Sequence, residues 1–248
     1  MSISIKNNEQ IEKMRKAGKI LKETLDLLEA SIYPGQTTKR LNDLAYNYII
    51  KQGAKPSFLN YQGFPYTICA SLNQQVVHGF CTDEPLIEGD IISIDCGVIW
   101  EGFHADAART FPVGNISLQK SNLIEATKNS FFEGIKDIKA GSRLGHISHR
   151  IQVYLEERGY GVVRELCGHG VGANLHEDPN VPNYGKYNSG VVLAEGMTLA
   201  IEPMSTLCKR DVYLEDNGWT VTTYDQQPSA HYENTVLITK DGVEILTL

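Results

Sequence analysis

Residues 167–179, CGHGVGANLHEDP, set His169 and His176 seven positions apart among Gly168, Gly170 and Gly172. Seven steps reverse the face of a strand, and glycines at that density weaken a helix. The pattern predicts irregular backbone that aims both imidazoles at something. A histidine taken singly is more often a surface or hydrogen-bonded core residue than a ligand, so its company decides. In residues 92–110, ISIDCGVIWEGFHADAART, Asp95 stands in an apolar strand pattern with Ser93 and Gly97 on its face, and Asp106 follows eleven residues later. A two-residue turn within WEGF keeps both aspartates on one face of a hairpin and places them nearly opposite each other. Two carboxylates at that range repel, unless a cation lies between them or one stays protonated.

Two more acids keep similar company. Glu202 lies inside the apolar strand pattern of LAIEPM, and Glu233 heads another in HYENTVLIT. A solvent-facing strand position explains any one of the four acids; it explains all four, together with glycine-framed histidines, less well. The converging alternative is a metal centre of carboxylates and one or two imidazoles. Oxygen-rich ligation favours manganese, iron(II) or cobalt, with zinc left open. Four acids exceed the needs of one divalent ion and suggest two ions sharing bridging carboxylates. Such ions lie roughly 3.5–4 Å apart and lower the pKa of a bound water to about 7, which makes a nucleophile for hydrolysis.

These side chains must be carried by a regular framework. Ile11, Met14, Leu21, Leu25, Leu28 and Ile32 recur at helical spacing over residues 8–32, and Pro34 and Gly35 end that run. Thr37 or Thr38 can cap a second helix whose inward face holds Leu41, Leu44, Ala45, Tyr48 and Ile49, with Gly53 as its stop. Residues 66–112 turn to alternating, β-branched patterns. Helical periodicity returns over residues 118–139 and 142–158, and strand patterns dominate after residue 160. The order helix, helix, strands, repeated once, reads as a loose duplication of an α+β unit. No linker or charge block divides the halves, so one catalytic domain over residues 1–248 is expected.

Composition narrows the classes. Of 248 residues, 42% are hydrophobic and 21% charged, as in an ordinary globular protein, and the net charge of −7 argues against nucleic acid as the main ligand. The five cysteines are scattered without a C-x-x-C, which suits a reducing compartment better than a disulfide framework. The opening MSISIKNNEQ lacks a signal-peptide pattern, and no apolar run approaches the roughly 18 residues that span a bilayer. A soluble, cytoplasmic protein with no membrane partner is the expectation.

The motifs resemble the type I methionine aminopeptidases of the pita-bread fold, over nearly the whole chain. The resemblance rests on VVHGF with His78, SIDCG with Asp95, FHADAART with Asp106, CGHGVGANLHEDP with His169 and His176, AIEPM with Glu202 and HYENTV with Glu233, in order. It implies two pseudo-twofold-related α+β halves around a central curved antiparallel sheet. It implies a metal-dependent removal of the initiator methionine from nascent chains with a small second residue, by a metal-bridged water or hydroxide attacking the first peptide bond. On this resemblance Asp95 would bind one ion, Asp106 and Glu233 would bridge both, and His169 and Glu202 would complete the shell of the other ion. Glu202 would also handle the proton of the attacking water. His78 would contact the scissile amide, and His176 would hydrogen-bond the carbonyl oxygen as it becomes an oxyanion. The methionine pocket would be lined by Phe58, Tyr61, Phe64, Cys69, Leu175 and Trp219.

The same resemblance implies a monomer that touches the ribosome transiently and uses two divalent ions, cobalt, manganese, iron(II) or zinc. Only 25 residues separate His176 from Glu202, which fits the compact bacterial branch. Cys81 stands where the family often carries proline, so the loop over the cleft is expected to differ in shape. Proline-specific aminopeptidases and dipeptidases share the fold and the five ligands and form the rival enzyme reading; a binding-only relative that has lost ligands is the rival outside catalysis. His146 and His149 are expected on a partly solvated helix face, and His104 and His231 beside the ligands rather than among them. His231, two residues from Glu233, is the one that could share its face.

Overall fold

The computed structural model describes residues 3–248; Met1 and Ser2, the first two positions of the expected single domain, lie outside the described residues. Helices α1 (Asn8–Glu29) and α2 (Thr38–Lys51) lead into β1 (Lys55–Pro56), β2 (Ile68–Leu72), β3 (Gln75–Val77) and the long hairpin β4 (Ile91–Trp100) and β5 (Phe103–Pro112). A second helix pair, α3 (Leu118–Ile135) and α4 (Leu144–Glu156), precedes β6 (Gly161–Val162), β7 (Gly168–Gly170), β8 (Glu177–Val181), β9 (Thr198–Ile201) and β10 (Met204–Thr206). The last strands are β11 (Val212–Leu214), β12 (Val221–Thr223), β13 (Ser229–His231), β14 (Asn234–Ile238) and β15 (Val243–Ile245).

The first helix begins with a reciprocal cap, Asn7 accepting from the Gln10 amide and Gln10 returning to the Asn7 backbone. It buries Ile11, Met14, Leu21, Leu25 and Leu28 as the spacing predicts, but ends at Glu29, so Ile32 packs from the loop instead. Thr37 caps α2, accepting from the Arg40 amide. Leu41, Ala45 and Ile49 face inward, and Gly53 follows at φ 76°. Both later helices are shorter than their periodicity, α3 ending at Ile135 and α4 starting at Leu144.

Glu101 and Gly102, at φ 45° and 83°, form the two-residue turn of the β4–β5 hairpin, whose register runs unbroken from Trp100 opposite Phe103 to Ile91 opposite Pro112. Asp95 therefore faces Ala108, and Asp106 faces Gly97. The aspartates share a face, as expected, but sit diagonally, two positions apart along the ladder, not directly opposite. The reason is arithmetic: a turn over residues 101 and 102 pairs positions summing to 203.

Helices α1 and α2 pack on β2, β4 and β5 through Ile20, Leu21, Leu41, Ile92 and Ile94. Helices α3 and α4 pack on β9 and β14 through Phe131, Ile147, Ile151, Leu199 and Val236. This repeats one arrangement twice, the duplicated α+β pattern. The halves meet where β5 runs beside β14: the Asp106 amide donates to Thr235 Oγ1, whose hydroxyl donates back to the Asp106 carbonyl, at 2.8 and 2.9 Å. All strand pairs among the described residues are antiparallel, and the central sheet is built in segments, a five-stranded one in the order β15-β14-β9-β7-β8. Pro203, which has no N–H to donate, interrupts the ladder between β9 and β10. No helix among the described residues is long and apolar enough to cross a membrane.

Candidate active site

The four acids arrive from four strands. Asp95 lies mid-way along β4 and Asp106 on β5, whereas Glu202 stands one residue beyond β9 and Glu233 one residue before β14. Glu202 thus occupies the break before Pro203 and not the strand interior its apolar context suggests. Its backbone is pinned there by Asn183 Nδ2, which donates to the Glu202 carbonyl at 2.9 Å. Glu233 is held across the two halves, its amide donating to the Ala108 carbonyl at 2.9 Å while Arg109 donates to its carbonyl.

His169 corrects the expectation of irregular backbone, for it sits in the middle of strand β7, paired with Ala200. The flanking glycines are there for close approach. A Cβ at Gly168 would lie 2.3 Å from the Ala200 carbonyl oxygen, and one at Gly170 2.3 Å from that of Asp178. Only His176, in the loop before β8, follows the expectation.

The His169 ring is oriented by one bond, Nδ1 to the Gly170 carbonyl at 2.9 Å. A carbonyl can only accept, so Nδ1 carries the proton and Nε2 presents a lone pair. That nitrogen lies 3.8 Å from Asp106 Oδ2 and 3.7 Å from Glu202 Oε1. Asp106, His169 and Glu233 offer ligand atoms within 4.8 Å of one another, and so do Asp95, His231 and Glu233. The two groups share Glu233. Asp95 Oδ1, Asp106 Oδ1 and Glu233 Oε1 are buried without any hydrogen-bond partner.

Burial, the largest cause, lifts Asp95 to about 7 against hydrogen bonds that lower it, and pushes Asp106, Glu202 and Glu233 well above the usual carboxylate range, where repulsion from the neighbouring carboxylates adds to it. Burial also lowers His169 to about 4, keeping the imidazole neutral. Orphaned carboxylate oxygens beside a neutral imidazole are a donor set that fits divalent cations, whose charge would offset the repulsion.

The acids form the floor of a cavity of about 180 Å3, lined by Phe58, Tyr61, Gln62, Phe64, Cys69, His78, Asp95, Asp106, His169, Leu175, His176, Glu202, Trp219 and Glu233. It brings together the five expected metal ligands, His78, His176 and the six expected methionine-pocket residues. Phe58, Phe64, Cys69 and Leu175 form one buried cluster with Tyr61 and Trp219 against it, and the Phe64 and Trp219 rings meet edge-on at 5.1 Å. Gly97 makes room for this wall, since a Cβ there would lie 2.8 Å from Phe58 Cε1.

Tyr61 Oη lies 2.8 Å from His176 Nδ1, and the His169 and His176 rings are 4.2 Å apart. His78, at φ 58°, stands 6.4 Å from the Trp219 ring. Cys81 is buried away from this lining, its thiol 3.6 Å from the Ile68 carbonyl and pushed up to about 12 by burial. The departure from the family pattern at Cys81 thus leaves the cavity wall untouched.

One residue, Gln62, escaped the sequence reading, and another, His231, was expected beside the ligands and as the one that could share the face of Glu233. Gln62 enters the wall through a left-handed turn at φ 49°, a conformation its side chain does not announce. His231 is 1% exposed, with Nε2 3.8 Å from Glu202 Oε2 and 3.7 Å from Glu233 Oε2. Its two-residue spacing from Glu233 was the available signal. The other histidines stay outside, as expected: His146 stacks on Tyr187 at 4.3 Å, His149 reaches the Gly185 carbonyl, and His104 Nδ1 is 3.0 Å from Ser57 Oγ.

Residues 12–240 match metallopeptidase family M24. The chain belongs to that family. It is 53% identical over 246 residues to the methionine aminopeptidase of Clostridium perfringens, covering 99% of both chains. Its structure resembles the crystal structure of methionine aminopeptidase from Rickettsia prowazekii with a TM-score of 0.98 at 43% identity, covering 100% of each chain. A prolidase from Pyrococcus furiosus gives a TM-score of 0.79 at 24% identity and is covered over 65% of its length, a likeness of fold alone. The fold is the pita-bread fold, and this M24 metallopeptidase is a hydrolase that works with divalent metal ions.

Proposed function

We propose that this M24 enzyme removes the N-terminal methionine from nascent proteins and peptides whose second residue is small. The observation that carries the reading is one cavity with two characters: a carboxylate cluster with orphaned oxygens at its floor, and an aromatic and sulfur-bearing wall beside it. At about 180 Å3 it is smaller than the roughly 300–1,000 Å3 that suit drug-sized ligands, and so takes a single side chain. A polarizable, apolar wall favours a thioether. A pocket of that size leaves little room beside it for a large second residue.

Asp95, Asp106, His169, Glu202 and Glu233 would hold two divalent ions, drawn from cobalt, manganese, iron(II) and zinc. When bound, the ions supply an acidified water and charge to offset the developing oxyanion. The protein groups do the rest. Glu202, whose carboxyl is raised by burial, takes the proton from the attacking water. If Tyr61 donates to His176 Nδ1, the ring proton lies on Nε2, which then donates to the carbonyl oxygen of the first peptide bond. His78 contacts the scissile amide. Phe58, Tyr61, Phe64, Cys69, Leu175 and Trp219 seat the methionine and exclude water.

On this reading residues 1–248 act as one catalytic domain, as a monomer in the cytoplasm, with transient ribosome contact during synthesis. The net charge of −7 is in keeping with peptide rather than nucleic acid as the main ligand.

The test is methionine release by metal-free protein titrated anaerobically with Mn²⁺, Fe²⁺, Co²⁺ or Zn²⁺. Met-Ala-Ser is cleaved and Met-Leu-Ser is not, with activity lost in Asp106→Asn. Cleavage of Ala-Pro peptides in place of Met-Ala-Ser would replace this reading with the proline-specific one.

A further inference from the structure

The geometry points to His231 as a sixth protein ligand of the metal centre, a second imidazole that binds the ion held by Asp95 and Glu233. This inference rests on the two-ion reading above and adds a residue to it. His231 ends β13 and is buried to 1% exposure, yet neither Nδ1 nor Nε2 has a hydrogen-bond partner. A buried polar ring with both nitrogens unpaired is costly unless something else occupies one of them.

Its Nε2 lies 3.7 and 3.8 Å from carboxylate oxygens of Glu233 and Glu202, the same separations by which His169 Nε2 stands from Glu202 and Asp106. These distances are too long for hydrogen bonds. They suit two atoms on one ion: with ligand bonds of about 2.0–2.2 Å, neighbouring donors end up roughly 3–4 Å apart. Asp95, His231 and Glu233 bring three such atoms within 4.8 Å, as Asp106, His169 and Glu233 do on the other side. Each of the two groups thereby contains one imidazole, one aspartate and Glu233.

The ring is held for this task by its backbone. The His231 amide donates to Thr110 Oγ1 at 2.9 Å, and that hydroxyl donates to the His231 carbonyl at 2.9 Å, tying the residue to β5 next to the aspartate hairpin. Met204 pairs with it on the other side. An imidazole here changes the donor set of the Asp95 ion from oxygen alone to mixed oxygen and nitrogen, which favours cobalt, iron or zinc over manganese.

The experiment loads the native protein with two equivalents of Co²⁺ and counts strongly shifted, solvent-exchangeable imidazole N–H protons by proton NMR. Two signals are expected. His231→Gln and His231→Asn should each lose one, and His169→Gln the other, with Co²⁺ affinity at one site falling roughly tenfold in the His231 variants while Mn²⁺ affinity changes less. One signal in the native protein, removed by His169→Gln, overturns the assignment of His231 while leaving a metal centre in place. No Co²⁺ binding by the native protein removes both the metal-centre reading and this inference. The native count does not depend on any variant folding.

Discussion

Tyr61 shows what a single hydroxyl does in this cavity. Its oxygen lies 2.8 Å from His176 Nδ1 and is the polar contact that turns the imidazole toward the acids. A net hydrogen bond is worth about 1 kcal/mol, and an orientation needed in the transition state appears in turnover more than in binding. Tyr61→Phe should therefore lower kcat about three- to tenfold on Met-Ala-Ser with KM little changed. A rise in KM with kcat intact would show that Tyr61 serves only to seat the substrate. At this scale the sequence was most legible where a residue contradicts its surroundings. Asp95 and Asp106 stand out because carboxylates do not belong on an apolar hairpin face, whereas Gln62 carries no such contradiction, and its place depends on a local left-handed turn.

The elements that carry these residues obey two constraints, hydrophobic periodicity and how closely backbones approach. Periodicity located the four α-helices among the described residues, and the β4–β5 hairpin followed from alternation plus a two-residue turn. The glycines around His169 were visible, but their purpose was not: they serve the packing of β7 between β8 and β9, a contact between residues far apart in sequence. Glu233 was legible at the head of its strand, but the position of Glu202 beyond the end of β9 was hidden for the same reason, since a ladder's limit depends on its partner strand. Gly170→Ala tests this account. Its Cβ would stand 2.3 Å from the Asp178 carbonyl oxygen, and backbone cannot step aside as a side chain would. Overpacking of this kind costs about 2–3 kcal/mol, which lowers the melting temperature by roughly 5–10 °C in a chain of this length. Metal affinity should fall with it, because His169 is the next residue along. A melting temperature within 1 °C of the parent would mean that β7 and β8 are free to move apart.

At the scale of the whole molecule the site exists only while the two α+β halves stay in register, since Asp95 and Asp106 come from one and His169, Glu202 and Glu233 from the other. The contact between β5 and β14 is one tie; a second runs across the surface from α1 to β15. Arg15 donates to Glu244 through Nε and Nη2, both at 2.7 Å, and this pair holds the Glu244 carboxyl below its ordinary value of 4.5. A carboxyl whose pKa is depressed by folding stabilises the fold above its unfolded pKa and loses that contribution as pH falls through the lower, folded value. The window lies below about pH 4.5, and the sign is a loss of stability on acidification. Both side chains are more than one-third exposed, so water and salt screen the pair and reduce its worth to about 0.5–1 kcal/mol. Glu244→Gln should unfold in urea with that deficit at pH 7 and low salt. The deficit should shrink in 1 M NaCl and close as pH falls through the lowered pKa of Glu244, where the parent carboxylate also takes up its proton. A deficit that persists undiminished after the parent carboxylate has been protonated would assign the effect to packing of the Glu244 stem against α1, and the halves would then be joined at this edge by shape and not by charge.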